Sequence, residues 1–363
     1  MPLGVLAASV LVALSIIIFE PSFISRSSNE VESSSTASEQ GVDCAGTLSN
    51  DYACYQGRYQ DLVYGSGVQA AFEELKEQYA QNSFVKSNCH QLVHVIGRAA
   101  VDLYGDMSGA YSRGDHFCGS GYFHGASEAI VEKIGADKIL DEADALCADL
   151  RSERERSLYH YNCAHGLGHG FMSILDNELF ESLEACDALK DGWEQDKCYG
   201  GVFMQNWIAE EDPNHPSRYL KKDQPLYPCT DVETRYKGQC YTKQVQYVLS
   251  TQDNDFAKVF SICSAAEVDF RPTCYRSLGG TAASWSIRNN VGDVAETESA
   301  NELCLLGEDY EARSNCITGA VVQFVYHYHD DTQAKAFCES LDADFQRELC
   351  LQSSEEYYES FEA

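Results

Sequence analysis

The chain has 363 residues, of which 44% are hydrophobic, and its formal net charge at pH 7 is −31. This apolar fraction is enough to build a core, so the composition excludes a wholly disordered protein. An acidic surface repels phosphate backbones, so the charge argues against nucleic acid as a partner.

The N-terminus carries an uncharged apolar run over residues 3–19, which Glu20 and Pro21 end. The run just reaches the length that spans a bilayer, and no small-residue cleavage site follows it. We therefore predict a membrane anchor over residues 1–25, with a cleaved secretion signal as the alternative. Residues 26–43 are rich in Ser and Glu and predict a flexible stalk. Both alternatives place the bulk of the chain outside the cytoplasm, in the periplasm or at the cell surface.

The chain has 16 cysteines, and none of them shows the CxxC spacing of metal clusters. An even number without that spacing indicates disulfides and an oxidising compartment. Most of these cysteines form close pairs along the chain, and the pairs predict disulfides. The cysteines assigned to disulfides are Cys44, Cys54, Cys147, Cys163, Cys186, Cys198, Cys229, Cys240, Cys263, Cys274, Cys304, Cys316, Cys338 and Cys350. Cys89 and Cys118 depart from the spacing, so their pairing stays open.

The cysteines also recur at a fixed period, because Cys198, Cys274 and Cys350 are 76 residues apart. A fixed period predicts stacked supersecondary units. Apolar residues at helical spacing precede the first cysteine of each pair, and a second apolar stretch begins at the other cysteine. We therefore predict an all-α domain over residues 44–363, built from disulfide-stapled helical hairpins with a super-repeat of 76 residues. Such hairpins stack into an open α-solenoid or a closed α/α toroid.

Histidines and one glutamate form three pairs at helical spacing in the first half of this domain. The pairs are His90 with His94, His124 with Glu128, and His165 with His169. Residues four apart lie on one face of a helix, where both side chains can reach one ion.

The cysteine period places these pairs at equivalent positions. His124, His169 and Met204 each lie six residues after a cysteine, and His94 lies five residues after one. Equivalent positions in stacked units face the same side, so we expect these side chains to converge. Imidazole, carboxylate and thioether groups suit a transition metal, with copper or zinc favoured and iron as a further option. The alternative is that the histidines fill the core. The candidate metal ligands are His90, His94, His124, Glu128, His165, His169 and Met204.

Glycines surround the candidate ligands, as in His124-Gly125, His169-Gly170 and the CYGG sequence that begins at Cys198. These elements resemble the glycine-rich inner helices of the zinc toroids of the lanthipeptide-cyclase type. The stapled hairpins resemble secreted cysteine-rich helical-repeat proteins. The cysteine spacing differs from both, so the resemblance implies an architecture and no residue roles.

These patterns predict a His-rich first half over residues 85–210 and a scaffold-like second half over residues 211–363. We interpret the protein as an extracytoplasmic helical-repeat protein that binds a transition metal in its first half. If it is an enzyme, Glu128 is the nearest candidate general base. The alternative is a cell-surface interaction scaffold that binds a protein partner on its concave face.

Overall fold

The computed structural model describes Cys44 and residues 52–153, 157–209, 217–290 and 293–362. The predicted anchor (1–25) and stalk (26–43) lie outside the described residues. Within the described ranges, no helix combines the length and the apolarity that crossing a bilayer requires.

The described residues form helices and contain no strand, which confirms the all-α prediction. The helices are α1 (Tyr52–Ser66), α2 (Val68–Gln81), α3 (Ser83–Tyr104), α4 (Met107–Tyr111), α5 (Gly121–Ile134), α6 (Ala136–Leu146), α7 (Ala148–Glu153), α8 (Leu158–Ile174), α9 (Leu179–Asp187), α10 (Gly192–Ile208), α11 (Thr234–Thr251), α12 (Phe256–Ser264), α13 (Arg271–Asn289), α14 (Asp293–Leu305), α15 (Tyr310–Tyr328), α16 (Thr332–Glu339) and α17 (Asp344–Glu362).

Polar side chains fix where several of the long helices begin. The Asn82 side chain accepts hydrogen bonds from two backbone N–H groups in the first turn of α3, and Asp191 does the same for α10. Ser157 caps α8 in the same way through one bond. Each cap pairs N–H groups that a helix leaves without an internal acceptor. Gly105 ends α3 in a left-handed conformation, with φ of 92°.

The long helices pack in chain order. Helix α3 packs on α5, α5 on α8 and α8 on α10, and the series continues through α11 and α13 to α15. The shorter helices α9, α12 and α16 each pack against the long helix that follows or precedes them. Fully buried aromatic side chains, such as Tyr122 and Phe324, belong to the core between the packed helices.

Helix α13 and the end of α15 also contact α3 and the segment before α5. The Lys86 ammonium in α3 donates a hydrogen bond to the backbone carbonyl of Ile287 in α13, at 3.4 Å. The ring of His329, at the end of α15, lies 5.8 Å from the ring of His116, which precedes α5.

Glycines allow the closest helix crossings, because a side chain there would overlap backbone. A methyl group at Gly201 of α10 would lie 1.9 Å from the carbonyl oxygen of His165 in α8. The crossing of α13 with α15 has the same form, since a methyl group at Gly279 would lie 1.9 Å from the carbonyl oxygen of Cys316. Backbone on the opposite helix cannot move aside as a flexible side chain can.

We expect Gly279→Ala to destabilise the protein by about 1–3 kcal/mol, because the added methyl forces α13 and α15 apart. The adjacent Gly280 provides a matched control. A methyl group there meets its nearest atom, the carbonyl oxygen of Gly319, at 3.5 Å, which is an ordinary contact. Gly280→Ala should therefore leave the free energy of unfolding unchanged or raise it by up to about 1 kcal/mol through helix propensity. Equal effects of the two variants in denaturant titrations would contradict this packing.

All 16 cysteines form disulfides, and every predicted pair is confirmed. Cys89 and Cys118, whose pairing the sequence left open, bond to each other and join α3 to the segment before α5. The eight bonds indicate an oxidising environment outside the cytoplasm. They are Cys44–Cys54, Cys89–Cys118, Cys147–Cys163, Cys186–Cys198, Cys229–Cys240, Cys263–Cys274, Cys304–Cys316 and Cys338–Cys350.

The first cysteines of the later pairs lie at helix ends, as predicted, and Cys186 is the next-to-last residue of α9. The second cysteines do not begin the following helices. Helix α10 begins at Gly192, six residues before Cys198. The cap at Asp191 starts the helix earlier than the apolar stretch indicates, because capping needs only an acceptor side chain.

Candidate metal centre

Five histidines from three helices form one cluster. His90 and His94 lie on α3, His124 on α5, and His165 and His169 on α8. The ring of His124 lies between the other two pairs, 4.8–5.5 Å from each of the four other rings, measured between centroids. The structure therefore brings together all five histidines that the sequence nominated as ligands.

Close crossing of α3 and α5 places His124 against the α3 pair. A methyl group at Gly125 would lie 2.2 Å from the carbonyl oxygen of His94. On the other side of α5, a methyl group at Gly166 of α8 would lie 2.4 Å from the side chain of Ser127. The glycines next to the histidines thus bring the three helices close enough for the rings to meet.

Oxygen acceptors face the Nδ1 atoms of three of the rings. His90 Nδ1 donates to the carbonyl oxygen of Cys118 at 2.9 Å, and His169 Nδ1 donates to the Gln205 amide oxygen at 2.9 Å. His94 Nδ1 lies 3.2 Å from a carboxylate oxygen of Glu128. Oxygens of these kinds only accept hydrogen bonds, so each Nδ1 carries the proton. Burial lowers the pKa of His90 and of His169, so these two rings are neutral and their Nε2 atoms keep a lone pair.

The Nε2 atoms of the α3 pair face each other. His90 Nε2 and His94 Nε2 lie 3.2 Å apart. Two nitrogen ligands of a tetrahedral zinc ion, each about 2.0–2.1 Å from the metal, stand about 3.3 Å apart. The spacing suits a shared cation.

Both ring nitrogens of His124 lack a hydrogen-bond partner among the described residues, although the residue is only 3% exposed. A buried polar atom without a partner costs about 1–3 kcal/mol. A core histidine normally satisfies at least one nitrogen, so this residue fits the core-filling alternative poorly.

Burial keeps four of the five imidazoles neutral. It lowers the pKa of His90 to about 3, with help from the nearby His94, and it lowers the pKa of His169 to about 4. Burial also lowers the pKa of His124 and of His165 well below the usual range. A neutral imidazole has the lone pair that a metal ligand requires.

Charged groups around the cluster have opposing effects. Burial raises the pKa of Glu128, but the interactions with His94, His169 and Arg98 together outweigh this effect and the pKa falls to about 2. Arg98 also donates to the Glu128 carboxylate, at 3.2 Å. Lys243 of α11, whose own pKa burial lowers to about 8, disfavours protonation of His165 and His169.

These shifts predict that the metal-free protein is sensitive to acid. Because the folded state disfavours the imidazolium form, the unfolded chain binds protons first as the pH falls below 6.5. Each such histidine then removes about 1.4 kcal/mol of stability per pH unit, until the pH reaches its folded-state pKa. Glu128 acts in the same direction below pH 4.5, because its folded-state pKa is also lowered.

Four histidines of the cluster are affected, and burial also lowers the pKa of His116, His327 and His329 outside it. The free energy of unfolding should therefore fall by on the order of 5 kcal/mol or more between pH 6.5 and 5.5. Urea titrations of chelator-treated protein would measure this change. A free energy of unfolding that stays constant over this range would contradict the neutral, buried state of the imidazoles.

The ligand atoms fall into two groups of three. In each group the nitrogens lie within 4.8 Å of one another, and His124 belongs to both. One group contains His90 and His94, and the other contains His165 and His169. Among the described residues, no group of potential ligands is larger.

The two other nominated ligands have different positions. Glu128 lies on the Nδ1 side of His94 and of His169, 3.2 and 3.6 Å away, and so faces the protonated nitrogens. Helix α10 meets His169 through Gln205, while Met204 is half-buried beside it. That Met204 is a ligand stays a prediction.

Two histidines of the His-rich half lie outside the cluster. His160 is buried against the carboxylate of Glu194, which Arg151 also binds through two nitrogens, at 2.9 and 2.7 Å. His116 lines a pocket of about 440 Å³, together with His327 and His329. Cys118 also lines this pocket, and its carbonyl oxygen accepts the bond from His90.

Sequence reasoning missed three groups that act on the cluster: the Gln205 amide, the Cys118 carbonyl and the Arg98 guanidinium. Gln205 adjoins the position that the cysteine spacing singled out at Met204, so an offset of one residue would have found it. The backbone carbonyl leaves no sequence signal.

No protein-family model, curated protein sequence or solved structure matches this chain. We therefore infer the function from the geometry of the site.

Proposed function

We propose that this extracytoplasmic protein binds a transition metal through the five-histidine cluster. The observation that carries the proposal is the approach of His90 Nε2 to His94 Nε2, 3.2 Å apart, with an oxygen acceptor at each Nδ1. A cation between these Nε2 atoms would form two coordinate bonds. The unpartnered nitrogens of His124 and the neutral state of its imidazole support the same function.

The groups behind the rings support it further. Histidine ligands of metals commonly donate their second nitrogen to a carboxylate, carbonyl or amide oxygen, which fixes ring orientation and increases ligand basicity. Glu128, Gln205 and the Cys118 carbonyl have this arrangement. We therefore assign Glu128 to orienting His94 rather than to direct coordination.

Ligand chemistry favours copper or zinc. Imidazole suits both ions, and a nitrogen site of given geometry binds Cu²⁺ more tightly than Zn²⁺. Iron sites of helical bundles use several carboxylates, whereas Glu128 faces the outer nitrogens here. Iron is therefore the third choice.

The architecture that we propose is a ring of repeated hairpins. Gly168 and Gly201 lie at the crossing of α8 with α10, five and three residues after Cys163 and Cys198. The pair Gly279 and Gly319, at the crossing of α13 with α15, has the same offsets from Cys274 and Cys316. These offsets support an internal repeat, and the contact between Lys86 and Ile287 supports closure of the ring. Residues 1–25 would anchor this ring to the membrane.

Metal analysis tests the function. Untagged protein is incubated with Zn²⁺ or Cu²⁺, desalted and analysed by mass spectrometry of the elements, with helicity checked by circular dichroism. We expect wild-type protein and a His327→Ala control, which alters an exposed histidine outside the cluster, to retain at least one ion per chain. The combined variant His94→Ala, His124→Ala and His169→Ala should retain none. Wild-type protein without metal, or a variant that keeps it, would favour the interaction scaffold instead.

We expect Glu128→Gln to weaken metal binding by about 10- to 100-fold, because the neutral amide interacts more weakly with the Nδ1 proton of His94. Glu132→Gln is the matched control. Glu132 lies one turn further along α5 and binds Arg98 and Ser173 instead of a histidine of the cluster. Competition with a chromophoric chelator would measure both affinities, and equal affinities would argue against the orienting role.

A further inference from the structure

The five histidines of the cluster are spread too widely for one ion to bind all of them. Five imidazoles divide into two groups of three, and His124 is the member that the groups share. The nitrogens of the two outer pairs do not all lie within the 4.8 Å that encloses each group. A single ion at either group therefore leaves the other pair of histidines uncoordinated.

His124 is suited to serve both groups. Its ring lies 5.3 and 5.5 Å from the rings of His90 and His94, and 4.8 and 5.2 Å from those of His165 and His169. Among the described residues, neither of its nitrogens has a hydrogen-bond partner. Each outer pair supplies two nitrogens to its own three-histidine site, so only the third nitrogen of each site must come from His124.

We propose that the cluster holds two transition-metal ions, bridged by the imidazolate of His124. One ion is bound by His90 and His94, the other by His165 and His169, and each takes one nitrogen of the bridge. This inference rests on the proposed metal-binding function. Three protein nitrogens per ion leave at least one position on each for water or hydroxide, as in open metal sites.

The bridge forms with a defined proton balance. Neutral His124 binds the first ion through its unprotonated nitrogen. Binding of the second ion displaces the remaining N–H proton to solvent, and the nitrogen donates the electron pair that the N–H bond leaves behind. Loading the second ion therefore releases one proton from His124.

A copper titration tests the bridge. Chelator-treated protein receives Cu²⁺ in steps, native mass spectrometry counts the bound ions, and electron paramagnetic resonance at low temperature measures unpaired spins. We expect the signal to rise up to one equivalent and to fall by more than half at two. The reason is that an imidazolate bridge couples the two unpaired electrons antiferromagnetically.

Each outcome bears on a different claim. Two bound ions with coupled spins support the bridge, and His124→Leu should then remove the coupling while His327→Ala keeps it. One ion with a full signal, or two with independent signals, would overturn the bridge and leave the metal site intact. A wild-type protein that binds no copper, zinc or iron would overturn the proposed function itself. The wild-type titration is decisive even if His124→Leu fails to fold.

Discussion

Reduction of the eight disulfides is expected to unfold the described domain at room temperature. The bonds close loops with sequence separations between 10 and 29 residues. In the loop-entropy model each contributes about 3 kcal/mol, so eight contribute on the order of 20 kcal/mol. Folded domains have net stabilities of about 5–15 kcal/mol, which is less than this sum. We therefore expect the helical circular dichroism signal to collapse in a strong phosphine reductant.

Oxidised protein in the same buffer, with the reductant pre-quenched, is the control. Mass spectrometry after alkylation would verify that all 16 thiols have been released. A fully reduced chain that keeps its helicity and a cooperative thermal transition would show that helix packing alone sustains the fold.

His124→Leu is expected to change stability in opposite directions with and without metal. In the metal-free protein, leucine removes two buried nitrogens that lack partners, so the free energy of unfolding should rise by about 1–3 kcal/mol. With metal bound, we expect the wild-type protein to be more stable than the variant. A ligand at 1,000 times its dissociation constant stabilises the folded state by about 4 kcal/mol, and the variant loses most of that gain.

His160→Leu is the matched control, because His160 is equally buried but has a partner in Glu194. This variant should destabilise the protein by about 1–3 kcal/mol, to the same extent with and without metal. Thermal unfolding of both variants, with chelator and with excess zinc, gives the comparison. A His124→Leu variant that is less stable than wild type in chelator would indicate a structural histidine.

The sequence was sufficient to predict an all-helical domain, seven of the eight disulfides and the convergence of five histidines. Cysteine spacing marks helix ends because a short disulfide loop permits few geometries, and pairs four residues apart must share a helix face. His124 and His169 occupy the same offset from a cysteine, and their rings lie 5.2 Å apart. Spacing therefore predicts the direction of a side chain best where residues are counted along one helix from a disulfide cysteine.

The remaining details depend on tertiary structure. One residue along a helix is a rotation of about 100°, so counting from Cys198 could not separate Met204 from Gln205. The side of the imidazole that Glu128 meets depends on rotamers and on the crossing of α3 with α5. Cys89 and Cys118 pair because α3 and the segment before α5 are neighbours, which their separation of 29 residues does not show.

Anomalous diffraction is the most direct test of the metal centre. Crystals of the protein loaded with copper or zinc would be measured on both sides of the metal absorption edge. We predict difference peaks inside the five-histidine cluster, about 2.0–2.1 Å from ring nitrogens, with His124 among the ligands. Loaded crystals with no peak within about 3 Å of any of these nitrogens, or with peaks only at surface carboxylates, would contradict the proposal.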